Sequence, residues 1–338
     1  MSKIKSWVAP KAGSPLELQE LEAGPLGPDE VEIKVEYCGI CHSDLSVLNN
    51  EWGNGQYPAV LGHEAIGRVV AVGEHAKGLK VGQRVGVGWT SESCMHCHQC
   101  LEGNQHGCPE SVATIIGHRG GFAEAMRSHW AWAIPIPEGV DPASAGPLLC
   151  GGMTVFKPFI AHDINPTSRV GVVGIGGLGH MALKFAAAWG CEVTAFTSSP
   201  SKADEARGFG AHHVVSSRDS GAIKAQAGTL DLLLVTVNVP LDWDALIGTL
   251  AFQGRMHVVG AVLEPIPVAA FALIMGQREI SGSPTGSPVD IATMLNFCAR
   301  HDIRPQTERF PMSKVNEALA HLEAGKARYR IVLEPDFG

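Results

Sequence analysis

Residues 170–179 read Val-Gly-Val-Val-Gly-Ile-Gly-Gly-Leu-Gly, an apolar strand that runs into a glycine turn and then a helical pattern. Few folds accommodate that run. Gly174 permits a tight turn, Gly176 lets an anion approach the backbone, and Gly179 allows a helix to lie close against the strand. Ile175, Gly177 and Leu178 complete a loop that faces the anion at a helix N-terminus. The expected ligand is a dinucleotide pyrophosphate; the alternative is a glycine-rich turn that only packs a helix on a sheet. From Arg169 onward strands and helices alternate: Val170–Val173, a helix from about Gly177 to Trp189, Glu192–Phe196, helical residues 201–209, Asp231–Val235 and Met256–Val259. That alternation predicts a doubly wound parallel sheet.

The second strand sharpens the ligand. Sites selective for NAD end this strand with an acid that bonds the ribose hydroxyls. Here the strand ends Thr197-Ser198-Ser199-Pro-Ser-Lys202, without a carboxylate. Hydroxyls and a lysine suit a 2′-phosphate, so NADP(H) is the expected cofactor. Otherwise Ser198 and Ser199 would only cap the next helix.

The first part of the chain has a different texture. Glu30 to Glu36 alternate apolar and charged residues as a half-buried strand does. Short β-rich runs follow at Ala65–Val72 and Gln83–Val87, and Asp141-Pro142 reads as a helix start. After the Pro/Gly/Ser-rich stretch Ser281–Pro288 come two helices and a last strand at Tyr329–Leu333, with Ser313 expected to cap the second helix and Gly325 to end it. With 338 residues, two domains are expected. A net charge of −8 provides no basic surplus for nucleic acid. The least polar long stretch, Val170 to Trp189, holds five glycines, His180 and Lys184, so no membrane partner is expected. No secretory signal is visible, and the expected location is cytoplasmic.

Four of the nine cysteines, Cys94, Cys97, Cys100 and Cys108, fall within fifteen residues. In a reducing compartment this spacing predicts metal rather than disulfides. Four thiolates close a tetrahedral shell, so the expected role is structural zinc. A second set is scattered: Cys41-His42-Ser43-Asp44, then Gly62-His63-Glu64, then Leu149-Cys150-Gly-Gly. A Cys, a His and a Cys would leave a fourth zinc position open, but nothing in their spacing shows that they meet.

The order of these motifs resembles that of the zinc-dependent medium-chain alcohol dehydrogenases over essentially the whole chain. The stretches CGICHSDLSVLNNEWG, VGVGW, SPTGSP and GKARYRIVL are similar to those of the cinnamyl-alcohol-dehydrogenase-like branch. The resemblance implies a GroES-like, mainly-β catalytic domain over 1–150, rejoined by 286–338, and a Rossmann domain over 151–285. It implies catalytic zinc on Cys41, His63 and Cys150, with Glu64 able to approach the metal, so that each chain would hold two zinc ions. Asp44 would orient the imidazole of His63, and Ser43 would relay the alcohol proton. His42 would sit against the pyrophosphate, Thr154 near the nicotinamide and Arg330 on the cofactor; Trp52 and Trp89 would line the substrate pocket. Ser46 stands where many relatives carry a relay histidine. The implied activity is NADPH-dependent reduction of medium-chain or aromatic aldehydes by a homodimer. A polyol dehydrogenase of the same fold and a non-enzymatic zinc- and nucleotide-binding protein are the alternatives.

Overall fold

A computed structural model describes residues 3–337. They form two compact units: residues up to Met153 together with those from Thr285 onward, and Thr154–Pro284.

The first unit is built on a sheet of seven strands. Its central strand, Glu30–Ile40, pairs antiparallel with Ala65–Val72, with Ala125–His129 and with Arg330–Glu334. The alternation seen in the sequence turns Val31, Ile33 and Val35 into the core, where Phe122, Ile115 and Met126 meet them. Burying side chains of this size contributes roughly 1.5–3 kcal/mol each. The C-terminal strand pairs through Ile331, Val332 and Leu333 with Ile40, Gly39 and Cys38, which brings Arg330 beside the start of the Cys41 motif. Pro142 does open a helix, capped by Asp141, whose carboxylate accepts from the Ala143 N–H. Ser313 does not cap: it lies within a 3-10 turn, Met312–Lys314, and its hydroxyl donates to Asp336 at 2.5 Å. The helix Val315–Glu323 follows, buries Val315, Ala318 and Leu319, and gives way to Gly325 at φ +66.

The second unit is a six-stranded parallel sheet centred on Arg169–Val173. Val170, Val172, Val193, Ala195 and Leu232 to Val235 are buried almost completely. That pattern is the continuous apolar run of strands covered on both faces.

His257 lies on the strand Leu250–Val258 and is only 1% exposed. Its Nδ1 meets Ser281 Oγ at 2.8 Å and His162 Nε2 at 3.2 Å, and its Nε2 meets Ser283 Oγ at 2.9 Å. Burial first, then the charges of His162 and Arg255, push its pKa down to about 4. Unfolded, an imidazole titrates near 6.5. Between those values the unfolded chain binds a proton that the folded one refuses, so stability rises with pH. The contribution is complete above about pH 6.5 and is lost as the pH drops toward 4. At about 1.4 kcal/mol per pH unit, roughly 2 kcal/mol is lost between pH 6.5 and pH 5. Thermal melts at pH 7 and pH 5 should show a clearly smaller shift for His257→Asn than for the wild type; equal shifts would contradict the assignment.

Candidate functional site

Within the first unit, the strand Glu30–Ile40 delivers Cys41 directly to the helix His42–Leu48. Asp44 occupies the third position of that helix and is fully buried. Its Oδ2 accepts from the Cys41 N–H at 2.9 Å, and its Oδ1 accepts from the Gly62 N–H at 2.9 Å and His63 Nδ1 at 3.1 Å. One carboxylate therefore fixes the two segments that carry Cys41 and His63. With Nδ1–H given to Asp44, the lone pair of Nε2 is the free donor of His63. It faces Cys150 Sγ at 3.2 Å, and Cys150 Sγ stands 3.9 Å from Cys41 Sγ. Around a tetrahedral zinc with bonds of about 2.3 Å, sulfurs sit about 3.8 Å apart. The hydrogen bond with Cys150 and the charge of Arg330 hold the Cys41 thiol well below its usual range, against burial.

Glu64 joins this group: Cys41, His63, Glu64 and Cys150 each place a ligand atom within 4.8 Å of the others, all buried. Glu64 Oε1 pairs with Arg330, while Oε2 is buried without a hydrogen-bond partner. Burial pushes the Glu64 carboxyl up to about 7 against the pull of Arg330. Two soft thiols and an oriented imidazole form a donor set that fits zinc, with the Glu64 carboxylate within reach as a further donor. Arg330, expected toward the cofactor, is buried against Glu64. Its place here was not legible beforehand, since 266 residues separate the pair.

Ser43 Oγ lies 3.7 Å from Cys41 Sγ, beside the cluster, and His42 is exposed at the helix start. Trp89 meets the His63 ring edge-on at 5.2 Å between centroids, and Trp52 meets Trp89 at 6.0 Å. Trp89 thus lies against the cluster, and Trp52 packs against Trp89. Ser46 is buried and donates to Glu51 Oε2 at 2.7 Å.

The four-cysteine loop closes as its spacing predicts. Cys94 Sγ stands 4.0 Å from Cys100 Sγ and 3.6 Å from Cys108 Sγ, and the Cys97 N–H points at Cys94 Sγ at 3.3 Å. All four lie within 4.8 Å of one another. Burial first, then hydrogen bonding with the neighbouring Cys97 and Cys108 thiols, pushes the Cys100 thiol up to about 12. A cation is what makes such a group ionise at neutral pH.

In the second unit, Gly174 adopts φ +90 and a Cβ there would stand 2.1 Å from Val237 Cγ1. A Cβ at Gly179 would stand 1.8 Å from the Gly174 carbonyl oxygen, so the helix Gly179–Trp189 lies directly on the turn. A Cβ at Gly176 would meet nothing, which leaves that side of Ile175, Gly176, Gly177 and Leu178 open to an anion. Thr197 Oγ1 accepts from the Ser199 N–H at 3.2 Å, and Ser198 is exposed. Lys202 Nζ donates to the Ile175 carbonyl at 2.9 Å, joining the strand-end residues to the glycine loop. Thr154 is buried, its hydroxyl donating to the Pro284 carbonyl at 3.2 Å.

The chain is similar to known proteins over nearly its whole length. Residues 27–138 match the alcohol dehydrogenase GroES-like domain, and residues 177–300 match the zinc-binding dehydrogenase family. Aldehyde reductase AdhA of Synechocystis is 52% identical over 330 residues, covering 98% of both chains. A cinnamyl alcohol dehydrogenase from Sorghum bicolor superposes with a TM-score of 0.94 at 39% identity, covering 98% of both chains. A Helicobacter pylori counterpart complexed with NADP(H) superposes at 0.90 with 28% identity and the same coverage. With thiol and imidazole donors at zinc spacing in one unit and a glycine loop on a parallel sheet in the other, the chain belongs to the zinc-dependent medium-chain alcohol dehydrogenases, in their cinnamyl-alcohol-dehydrogenase-like branch.

Proposed function

We propose that this protein reduces medium-chain aliphatic and aromatic aldehydes with NADPH, and oxidises the corresponding alcohols in reverse. The observation that carries the reading is the Cys41–His63–Cys150 cluster, held by Asp44, with Trp89 against His63 and Trp52 against Trp89. Zinc bound there supplies the Lewis acidity that polarises the carbonyl, and the nicotinamide supplies the hydride. The rest is the work of this chain's own groups. Asp44 keeps the His63 imidazole in the tautomer that leaves Nε2 free, a role in which such carboxylates raise ligand basicity. Ser43 gives the proton that completes the alcohol and takes it back in oxidation. Ser46 is engaged with Glu51, so His42, exposed one residue before Ser43, is the group through which that proton is exchanged with water. Trp52 and Trp89 hold an apolar body against the carbonyl site and exclude water from it.

The cofactor is held by the open loop Gly174–Gly179, whose backbone amides face the pyrophosphate. Its 2′-phosphate is met by Ser198, Ser199 and Lys202, with Thr197 shaping that turn; Thr154 contacts the nicotinamide end. The NADP(H) bound by the Helicobacter pylori relative and the absence of a strand-end acid both support this preference. Gly179→Ala must push the helix off the Gly174 carbonyl, so NADPH is expected to bind about tenfold or more weakly by fluorescence titration. Unchanged affinity would remove the loop from the cofactor site.

The protein is also expected to be a homodimer. The edge strand Glu279–Gly282 pairs on one side only among the described residues, and Phe271, Ile274 and Met275 on the preceding segment are 73%, 65% and 70% exposed. Light scattering should return twice 35.7 kDa. No helix is long and apolar enough to cross a membrane among the described residues.

Initial rates with hexanal, cinnamaldehyde, acetaldehyde and mannitol test the reading. Hexanal and cinnamaldehyde should lead by kcat/KM. A lead for acetaldehyde removes the indole-walled pocket from the account, and a lead for mannitol replaces the aldehyde with a polyol.

A further inference from the structure

Glu64 is held in a position that its own hydrogen bonds do not explain. Oε1 pairs with Arg330, but the buried Oε2 has no donor. Leaving a buried acceptor unpaired costs on the order of 1–3 kcal/mol, so the placement depends on the space and the Arg330 pairing that the surroundings provide. The nearest candidate is Gly39. A Cβ built on Gly39 would stand 2.0 Å from Glu64 Oε2, 3.0 Å from Glu64 Cβ and 3.1 Å from its carboxyl carbon. The carboxylate lies in the space that any other residue at position 39 would fill. Gly39 sits in the extended strand Glu30–Ile40 and is not among the glycines with positive φ, so its backbone does not itself demand glycine.

The surroundings leave no room for the backbone of Glu64 to yield. The Gly39 N–H donates to the Glu64 carbonyl at 3.0 Å. On the other side, a Cβ at Gly146 would stand 2.4 Å from the same carbonyl oxygen. A methyl group at position 39 would therefore be accommodated by the Glu64 side chain turning away. The ligand atoms of Cys41, His63 and Cys150 lie within 4.8 Å of its carboxylate, so a cation held there is the partner within reach.

We infer that Gly39 is a positioning residue for the reaction: its missing side chain is the seat that keeps the Glu64 carboxylate on Arg330 and away from the metal position that the substrate needs. The inference rests on the zinc reading of the Cys41–His63–Cys150 cluster.

Gly39→Ala, Glu64→Asp and the double variant, each loaded with Co(II) in place of zinc, test it. The readouts are the visible spectrum without substrate and the steady-state constants for hexanal. Gly39→Ala should alter the spectrum and raise KM about tenfold, with kcat changed less than about threefold, as loss of ground-state access predicts. In the double variant the carboxylate is one methylene shorter, which removes the 2.0 Å overlap with Oε2 and leaves the tight 3.0 Å contact with Cβ, so the spectrum and most of the KM should return. A Gly39→Ala spectrum identical to wild type, or a change that persists undiminished in the double variant, overturns the inference. Should Gly39→Ala not fold, the double variant decides: recovery of a folded protein with the native spectrum supports the seat, and failure of both variants overturns it. The wild-type spectrum separates the two possible failures. Wild-type protein that takes up no cobalt on these thiolates overturns the zinc reading, whereas a normal wild-type spectrum with an unresponsive Gly39→Ala overturns the seat alone.

Discussion

Cys100→Ser is expected to yield protein with one zinc per chain instead of two and a melting temperature lowered by about 4 °C. The lobe that carries the four cysteines has almost nothing else to hold it. Its elements are a four-residue helix, His98–Leu101, a 3-10 turn, Gln105–Gly107, and the short strands Thr90–Glu92 and Val112–Ala113. Leu101, the large apolar residue of that helix, is 76% exposed, whereas Cys100 and Cys108 are 5% and 4% exposed. The thiolates and their ion thus stand in for a hydrophobic core. Structural zinc binds small domains with an apparent free energy on the order of 10 kcal/mol. If a third of that is lost, about 3 kcal/mol, a chain of this size melts roughly 4 °C lower. Metal analysis and calorimetry check the result. Because Cys41, His63 and Cys150 lie outside the lobe, the remaining zinc should be the one that supports turnover. Two zinc ions per chain, or a melting temperature within 2 °C of wild type, would contradict the structural assignment.

Asp44→Asn is expected to lower kcat/KM for hexanal by about 10- to 100-fold and to speed zinc loss to a chelator by a similar factor. The carboxylate accepts from the Cys41 N–H, the Gly62 N–H and His63 Nδ1 at once. An amide has one oxygen in place of two, so either Cys41 or the Gly62–His63 pair faces an N–H group that it cannot bond. Leaving such a buried donor unpaired costs on the order of 1–3 kcal/mol. The loss of negative charge also weakens the imidazole as a ligand. The expected effect is therefore on metal retention and turnover together, with NADPH affinity unchanged, since the glycine loop belongs to the other unit. A kcat/KM within threefold of wild type would show that the Cys41 and His63 segments hold their places without this carboxylate.

What was legible in the sequence was what depends on near neighbours. The run Val170–Gly179 needs only its own strand, turn and helix, and the structure returns it with Gly174 at φ +90 and Gly179 packed on the turn. The four cysteines need only one short loop, and they close at zinc spacing. The alternation at Glu30–Glu36 likewise fixed which side chains of that strand turn inward. Residues 41, 63 and 150 are another matter. Their meeting depends on the pairing of the Glu30–Ile40 strand and on the carboxylate of Asp44, and only the resemblance to a known family joined them beforehand. The Glu64–Arg330 pair, and the seat that Gly39 makes for Glu64, depend on the last strand joining the first sheet in register. Spacing along the chain carries no trace of that. Ser313 shows the opposite error: a residue of capping type in a capping position was taken up by Asp336, 23 residues away.

The central claim is zinc-dependent aldehyde reduction with NADPH. It is tested most directly by initial rates with hexanal, using NADPH and NADH, on protein carrying both zinc ions and on the same protein stripped of the Cys41–His63–Cys150 zinc. The account predicts fast turnover with NADPH, weak turnover with NADH, and loss of both on stripping. Undiminished turnover by the stripped protein would contradict the metal's role, and a preference for NADH would contradict the Ser198–Ser199–Lys202 phosphate site.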